Sequence, residues 1–169
     1  MSSAVYDTVR AKRAVRDFRD EPLPEHVVER IVNAGRLSGS AKNMQPWHFV
    51  AVQRRETLQA LAACGQFAGH LAGAALGIAL VTPDPFYRLT VPFDLGRATQ
   101  NMMLAAWAHG VGSVMAYFHQ HEKAAQALGL PEGYEARWAI SFGYPHEAQD
   151  APDSGGRRPF EDVVHWEKW

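Results

Sequence analysis

The sequence predicts one domain in which helices and strands build a common core, and three observations carry that expectation. The chain has 169 residues, the size of an ordinary domain and enough to bury a core without disulfides or a structural metal. Apolar residues recur with helical spacing in some stretches and in alternating or short continuous strand-like runs in others. Hydrophobic residues at 47% and charged residues at 21% match average usage, which sets aside disordered, collagen-like and coiled-coil classes. No internal repeat is present.

Residues 3–12 predict a short helix, and "PLPEHVVERIVNAGRLS" predicts a stronger one. In the latter, Pro24 suits the first turn, Val27, Val28, Ile31 and Val32 form an apolar stripe, and the end falls near Gly35 to Gly39. A strand begins at Trp47, with Trp47, Phe49 and Ala51 toward one side and His48, Val50 and Val52 toward the other. "RRETLQALAAC" reads as a helix with Leu58 and Leu61 inward and Cys64 within it. "AALGIALVTP" reads as a buried strand stopped by Pro83. "DPFYRLTVPF", with two prolines, reads as a loop and a candidate lid.

The longest helix signal is "DLGRATQNMMLAAWAHG", with Asp94 near its N-terminus and Gly110 at the left-handed C-terminal position. "GSVMAYF" and "ARWAISFGYP" predict two more strands, separated by the helix "HEKAAQALGLPEG", which Gly129 and Pro131 close. Residues 150–169 form a C-terminal arm that opens as a Pro/Gly linker and ends with Phe160, Val163, Val164, Trp166 and Trp169. So short a segment cannot build its own core. It must lie across its own domain or, the favoured reading, embrace a second subunit.

A net charge of −1 provides no global reason to bind nucleic acid or an anionic membrane. Cys64 is the only cysteine, so an internal disulfide and multi-cysteine zinc or iron–sulfur sites are excluded and a reducing compartment is expected. The N-terminus has no apolar signal core, and "LAGAALGIALV" is too short to span a bilayer. These features predict a cytoplasmic soluble protein.

Two basic groups stand out. "KRAVRDFR" places Lys12, Arg13, Arg16 and Arg19 in a short stretch after the first helix, where they repel one another unless solvated or shared by an anion. Alone, a solvated surface explains them; beside Arg157 and Arg158, with Pro159 stiffening the backbone, a phosphate explains them better. "SAKNMQPWHFV" raises a separate question, because Ser40, Lys42, Asn43 and Gln45 concentrate hydrogen-bonding side chains where a helix hands over to a strand.

Other chemistry is weaker. His119, His121 and Glu122 could present ligands to a metal, but no complementary set is evident and a structural or solvent role is preferred. "GVGSVM" imitates a dinucleotide fingerprint, with Met115 where its third glycine should stand. There is no G-x-S-x-G, Cys64 lacks an adjacent base, and Asp17 and Asp94 have no evident pairing as acids.

Taken together, "KRAVRDF", "SAKNMQPWHF" and "GYP" followed by "RRPFEDVVHW" resemble, in order and content and across nearly the whole chain, the nitroreductase family of FMN-dependent oxidoreductases. The resemblance implies an α+β fold, a mainly antiparallel sheet flanked by helices, with residues 1–169 as one domain in an intertwined homodimer holding FMN at each subunit interface. It assigns Lys12, Arg13, Ala14 and Arg16 to the FMN phosphate and ribityl chain, joined by Arg157 and chiefly Arg158. It assigns Ser40, Ala41 and Asn43 to the neighbouring subunit's flavin, with Gln45 and Trp47 fixing the turn. Val114, Met115, Ala116 and Tyr117 would flank the isoalloxazine ring, and Phe86, Tyr87 and Phe93 would form an aromatic cover or an interface contact.

Two departures from the family pattern affect the phosphate site: Lys12 stands where Arg is commonest and Ala14 where Ser is common. The span from Thr82 to Phe93 also has no room for inserted covering helices. The implied activity is ping-pong reduction of nitroaromatic, quinone or related small acceptors by NAD(P)H, with the chemistry carried by FMN and no catalytic side chain. The alternatives are a non-catalytic flavin- or ligand-binding dimer, another flavin reaction such as dehalogenation or heterocycle oxidation, and last a metal-dependent hydrolase on His119, His121 and Glu122.

Overall fold

A computed structural model describes residues 3–84, 88–146 and 156–169. Its elements follow the periodicity of the sequence: α1 (Ala4–Ala11), α2 (Glu25–Arg36), β1 (His48–Val52), α3 (Arg55–Ala62), β2 (Leu76–Pro83), α4 (Thr90–Trp107), β3 (Gly112–Tyr117), α5 (His121–Leu128) and β4 (Tyr134–Gly143). The four strands form one sheet in the order β1-β2-β4-β3, with every neighbouring pair antiparallel. The fold is therefore α+β, an antiparallel sheet flanked by helices.

Helices cover both faces. On one, α2 and α4 bring Ile31, Leu95 and Met102 against Ile78, Ile140 and Phe142. On the other, α3 and α5 bring Leu58, Leu61 and Ala124 against Ala116 and Ala139. Central β2 is buried on both sides from Leu76 through Thr82, which accounts for its unbroken apolar run. β1 is an edge strand, where Phe49 joins the first cluster and Val50 and Val52 the second, while Ala51 stays exposed.

Three expectations are corrected. α4 starts at Thr90, so Thr90–Phe93 are helical rather than loop. Pro92 does not prevent this, because the first-turn amides of a helix have no intrahelical partner to lose. Asp94 consequently sits in the second turn, 2% exposed, and not at the N-terminus. α3 ends at Ala62, which places Cys64 in the following turn; its buried thiol donates to the Ala60 carbonyl.

Two apolar surfaces stay uncovered in the single chain. α1 buries none of its residues and exposes Val5, Tyr6 and Val9. The C-terminal segment exposes Phe160, Val163, Trp166 and Trp169, the last two at 79% and 102%. Among the described residues, no helix is long and apolar enough to cross a membrane.

Candidate functional site

The basic stretch leaves α1 and lies along the β3–β4 pair. Ala14 bridges Ser113 in parallel, the Val15 amide donates to the Ser113 carbonyl at 3.1 Å, and Phe18 bridges Pro145. Close approach is possible because Gly112 and Gly143, register partners across β3 and β4, have no side chains. A Cβ on Gly112 would come within 2.6 Å of Val15 Cβ, and one on Gly143 within 2.9 Å of Phe18 Cβ. Val15 and Phe18 are buried with Ala74, packed against Trp107. This seating was missed by sequence reasoning, although "GVG" and "FGYP" carried its signal as glycines inside strand patterns.

Charge pairing separates the cations. Arg19 pairs with Glu21, Arg55 with Asp20, Arg97 with Asp94 and Arg137 with Glu135. Lys12 and Arg16 form no ion pair among the described residues. Lys12 is half-buried, and burial pushes its ammonium below the usual lysine range. Arg13 turns Nη1 back onto the carbonyls of Arg10 at 2.6 Å and Lys12 at 2.9 Å, at the C-terminal end of α1 where a cation is favoured.

Beside this segment stands His70, in the 3₁₀ turn Gly69–Leu71. Its Nδ1 lies 2.7 Å from Ser141 Oγ, and that hydroxyl donates to the Val114 carbonyl at 3.3 Å. Burial lowers the imidazole pKa, the charge of Arg16 lowers it further, and the Phe67 carbonyl opposes both. No sequence signal marked His70, since only tertiary structure brings it to Arg16. On β3 itself, Val114 and Ala116 are buried while Met115 and Tyr117 are exposed. The Tyr117 ring stands edge-on to His119 at 5.0 Å.

The polar turn at Ser40 holds its own conformation. Ser40 Oγ accepts the Gln45 amide at 2.8 Å, and Gln45 Nε2 donates to the Asn43 carbonyl at 3.3 Å. Lys42, Asn43 and Gln45 adopt positive φ of 52°, 54° and 49°. Such conformations cost on the order of 1 kcal/mol each in non-glycine residues and need support from their surroundings. Support comes from buried Asp94, which accepts the Ala41 amide at 3.0 Å, and from buried Trp47, stacked on Phe49. Lys42, Asn43 and Gln45 themselves face solvent.

These two groups stand at opposite ends of α4. The basic segment packs on Trp107, the last residue of the helix, whereas the turn is tied to Asp94 in its second turn. At 1.5 Å rise per residue the two anchors are about 20 Å apart along the helix. Exposed Phe93 lies next to Asp94, at the end that carries the turn. Arg157 and Arg158 are exposed in the C-terminal segment, and Phe86 and Tyr87 lie outside the described residues.

The histidine pair is dispersed. His119 Nδ1 accepts the Gln66 amide at 3.5 Å, while His121 Nε2 lies 3.3 Å from Glu122 and 3.9 Å from Glu135. Among the described residues, no group of three or more His, Cys, Asp or Glu side chains could hold a metal ion.

A helix-covered antiparallel sheet with a cationic segment seated on one strand pair and a strained turn at the far end of its longest helix defines an α+β protein with a candidate anion site. Residues 9–66 and 66–144 match the Nitroreductase family, and the chain belongs to it. A protein of Archaeoglobus fulgidus, named as a candidate NADH dehydrogenase/NAD(P)H nitroreductase, is 33% identical over 95% of this chain and 96% of its own. A crystal structure with the same designation from Parabacteroides distasonis aligns with a TM-score of 0.89 at 23% identity, covering 99% of this chain and 100% of that one. An FMN-dependent nitroreductase from Clostridium difficile R20291 aligns at 0.87 and 22% identity, over 96% and 98%.

Proposed function

We propose that the protein is an FMN-dependent oxidoreductase that accepts reducing equivalents from NADH or NADPH and passes them to a nitroaromatic, quinone or related small acceptor, the two substrates occupying one place in turn. The observation that carries this reading is the pair of cations without carboxylate partners among the described residues, Lys12 and Arg16, on the segment whose Val15 and Phe18 rest on the Gly112–Gly143 pair. That donor set suits the doubly charged phosphate of FMN. Lys12, Arg13, Ala14 and Arg16 would hold the phosphate and ribityl chain together with Arg157 and Arg158. The backbone of Val114 to Ala116, with Tyr117, would flank the ring. When bound, FMN supplies the hydride chemistry; the chain binds, orients and excludes water.

In this reading the working unit is a homodimer. Ser40, Ala41, Asn43 and Gln45 stand about 20 Å from the basic segment along α4, so they serve the site of the second copy rather than their own. A second copy also gives the exposed stripe of α1 and the tryptophans of the C-terminal arm a surface to cover. Phe93, with Phe86 and Tyr87, would then border the acceptor. A cytoplasmic location fits the single, buried thiol.

Anaerobic mixing of the purified protein with each nicotinamide tests the reading, and bleaching of the flavin absorbance is the expected result. Protein that stays colourless after addition of FMN overturns it. Bound FMN that neither nicotinamide bleaches overturns the oxidoreductase assignment in favour of a non-catalytic flavin-binding dimer.

A further inference from the structure

Chain continuity, a hydrogen bond and electrostatics each tie His70 to the site. Its turn leads directly to Ala74, which is buried with Val15 and Phe18 on either side of Arg16. Its Nδ1 meets the hydroxyl of fully buried Ser141, and that hydroxyl donates to the carbonyl of Val114 on β3. Its ring is half-buried within electrostatic reach of Arg16.

Ser141 has one hydroxyl proton and two acceptors within reach, the Val114 carbonyl and a neutral His70 Nδ1. A protonated imidazole carries a proton on both nitrogens, so in that state Nδ1 donates to Ser141 and the hydroxyl donates to Val114. The charge that acts on the ring is that of Arg16 on the N-terminal segment. Arg55 donates to the carbonyls of Ala72 and Ala74 and is already paired with Asp20. Ser141, the neighbour on β4, is neutral. In the ligand-free protein a charged His70 thus meets a cation in a partly desolvated place.

We propose that His70 is an ionisable member of the cofactor site, taking up a proton beside Arg16 when a bound flavin brings negative charge there. This rests on the flavin reading above. One proton moves from solvent to the imidazole and no other bond changes. The sign of the linkage follows: ligand-free His70 titrates below the ordinary histidine range, an anion beside it raises its pKa, and binding takes up a proton between the two values. Flavin affinity should therefore rise as pH falls through that window and level off above it. The negative charge could be the phosphate or the reduced ring, which share this chemistry.

The test is fluorescence-quenching titration of the full-length protein with FMN from about pH 5 to pH 9 at constant ionic strength, for wild type, His70→Asn and His70→Lys. Asn retains an amide donor for Ser141, and Lys supplies a permanent charge. Wild-type affinity should increase toward low pH by up to about tenfold per pH unit, the limit for one linked proton. His70→Asn should bind more weakly and lose that slope; His70→Lys should recover affinity without it. Protonation of the phosphate itself near pH 6 acts on all three proteins and cancels in the comparison.

A slope that disappears with riboflavin places the charge on the phosphate, and one that appears only with reduced flavin places it on the ring. If His70→Asn keeps the wild-type slope while binding FMN, the role of His70 is refuted and the cofactor reading stands. If wild type quenches no FMN fluorescence at any pH, both fall. Arg16→Gln offers a second measure without disturbing the His70–Ser141 contact: the proton NMR titration of His70 in ligand-free protein should move to higher pH. A titration that does not move removes the coupling on which the inference depends.

Discussion

Gly112 and Gly143 face each other across β3 and β4, and together they clear the strip of sheet on which Val15 and Phe18 rest. The consequence is positional. With those two side chains flush on the sheet, the Val15 amide donates to Ser113 and the Arg19 amide to Tyr144, and Arg16 between them acts on His70 and has no carboxylate partner among the described residues.

Filling that strip should unseat the segment. Gly112→Ala puts a methyl group 2.6 Å from Val15 Cβ, an overpacking that costs about 1–3 kcal/mol. A drop in Tm of about 2–12 °C and weakened FMN retention are expected in thermal melts and flavin titrations. Gly73→Ala, with nothing within 4 Å of the added carbon, is the control and should leave both nearly unchanged. Val15→Ala should partly restore a Gly112→Ala protein.

Arg16→Ala should weaken FMN binding roughly 10- to 100-fold, the range for losing a charge-assisted contact. Arg19→Ala should have little effect, because its guanidinium is spent on an exposed pair with Glu21. Equilibrium dialysis at two salt concentrations measures both, and equal losses in the two variants contradict the phosphate assignment.

Lys12 opposes stability in the flavin-free protein. Burial disfavours its charged form, so holding the charge at pH 7 costs folding free energy, and that cost fades as pH rises through its lowered pKa. Lys12→Met should raise the Tm of flavin-free protein by roughly 1–3 °C at pH 7 while reducing FMN affinity. The Tm advantage should shrink at pH 10.

Asp94→Ala removes the acceptor for the Ala41 amide and should cost about 2–3 kcal/mol by leaving a partly buried donor without its partner. Complementation gives a sharper readout. If each flavin site combines the basic segment of one copy with the Ser40–Gln45 turn of the other, coexpression of Arg16→Ala with Asp94→Ala chains should restore about a quarter of the sites, since half the dimers are mixed and each mixed dimer has one intact site. Absence of any restored flavin binding counts against a shared site.

Replacing Trp166 and Trp169 together with serine should shift sedimentation from dimer toward monomer, since both rings are exposed in the single chain. Val9→Asp on α1 should act in the same direction from a separate surface.

Much of this architecture was legible in order. Strand β2 announced itself by a continuous apolar run ending at Pro83, α3 by Leu58 and Leu61, and the end of α5 by Gly129 at φ 63°. The start of α4 was not legible, because Pro92 reads as a breaker although the first helical turn tolerates it. Lys12, Arg16 and the Ser40 turn were found as candidates through their residue types. Asp94 was read as a helix start when it is the support of that turn.

Period, turn residues and local charge, all short-range, determined the elements of this protein and the cations available to an anion, while the antiparallel sheet was implied by the resemblance of three motifs to the family. Tertiary structure alone decided that Gly112 and Gly143 coincide beneath Val15 and Phe18, that His70 meets Ser141 within electrostatic reach of Arg16, and that the basic segment and the Ser40 turn occupy opposite ends of α4. The reason is physical: hydrophobic periodicity specifies which face of an element is buried, whereas contacts between residues distant in sequence depend on the sheet register and on side-chain volumes that only the packed core brings together.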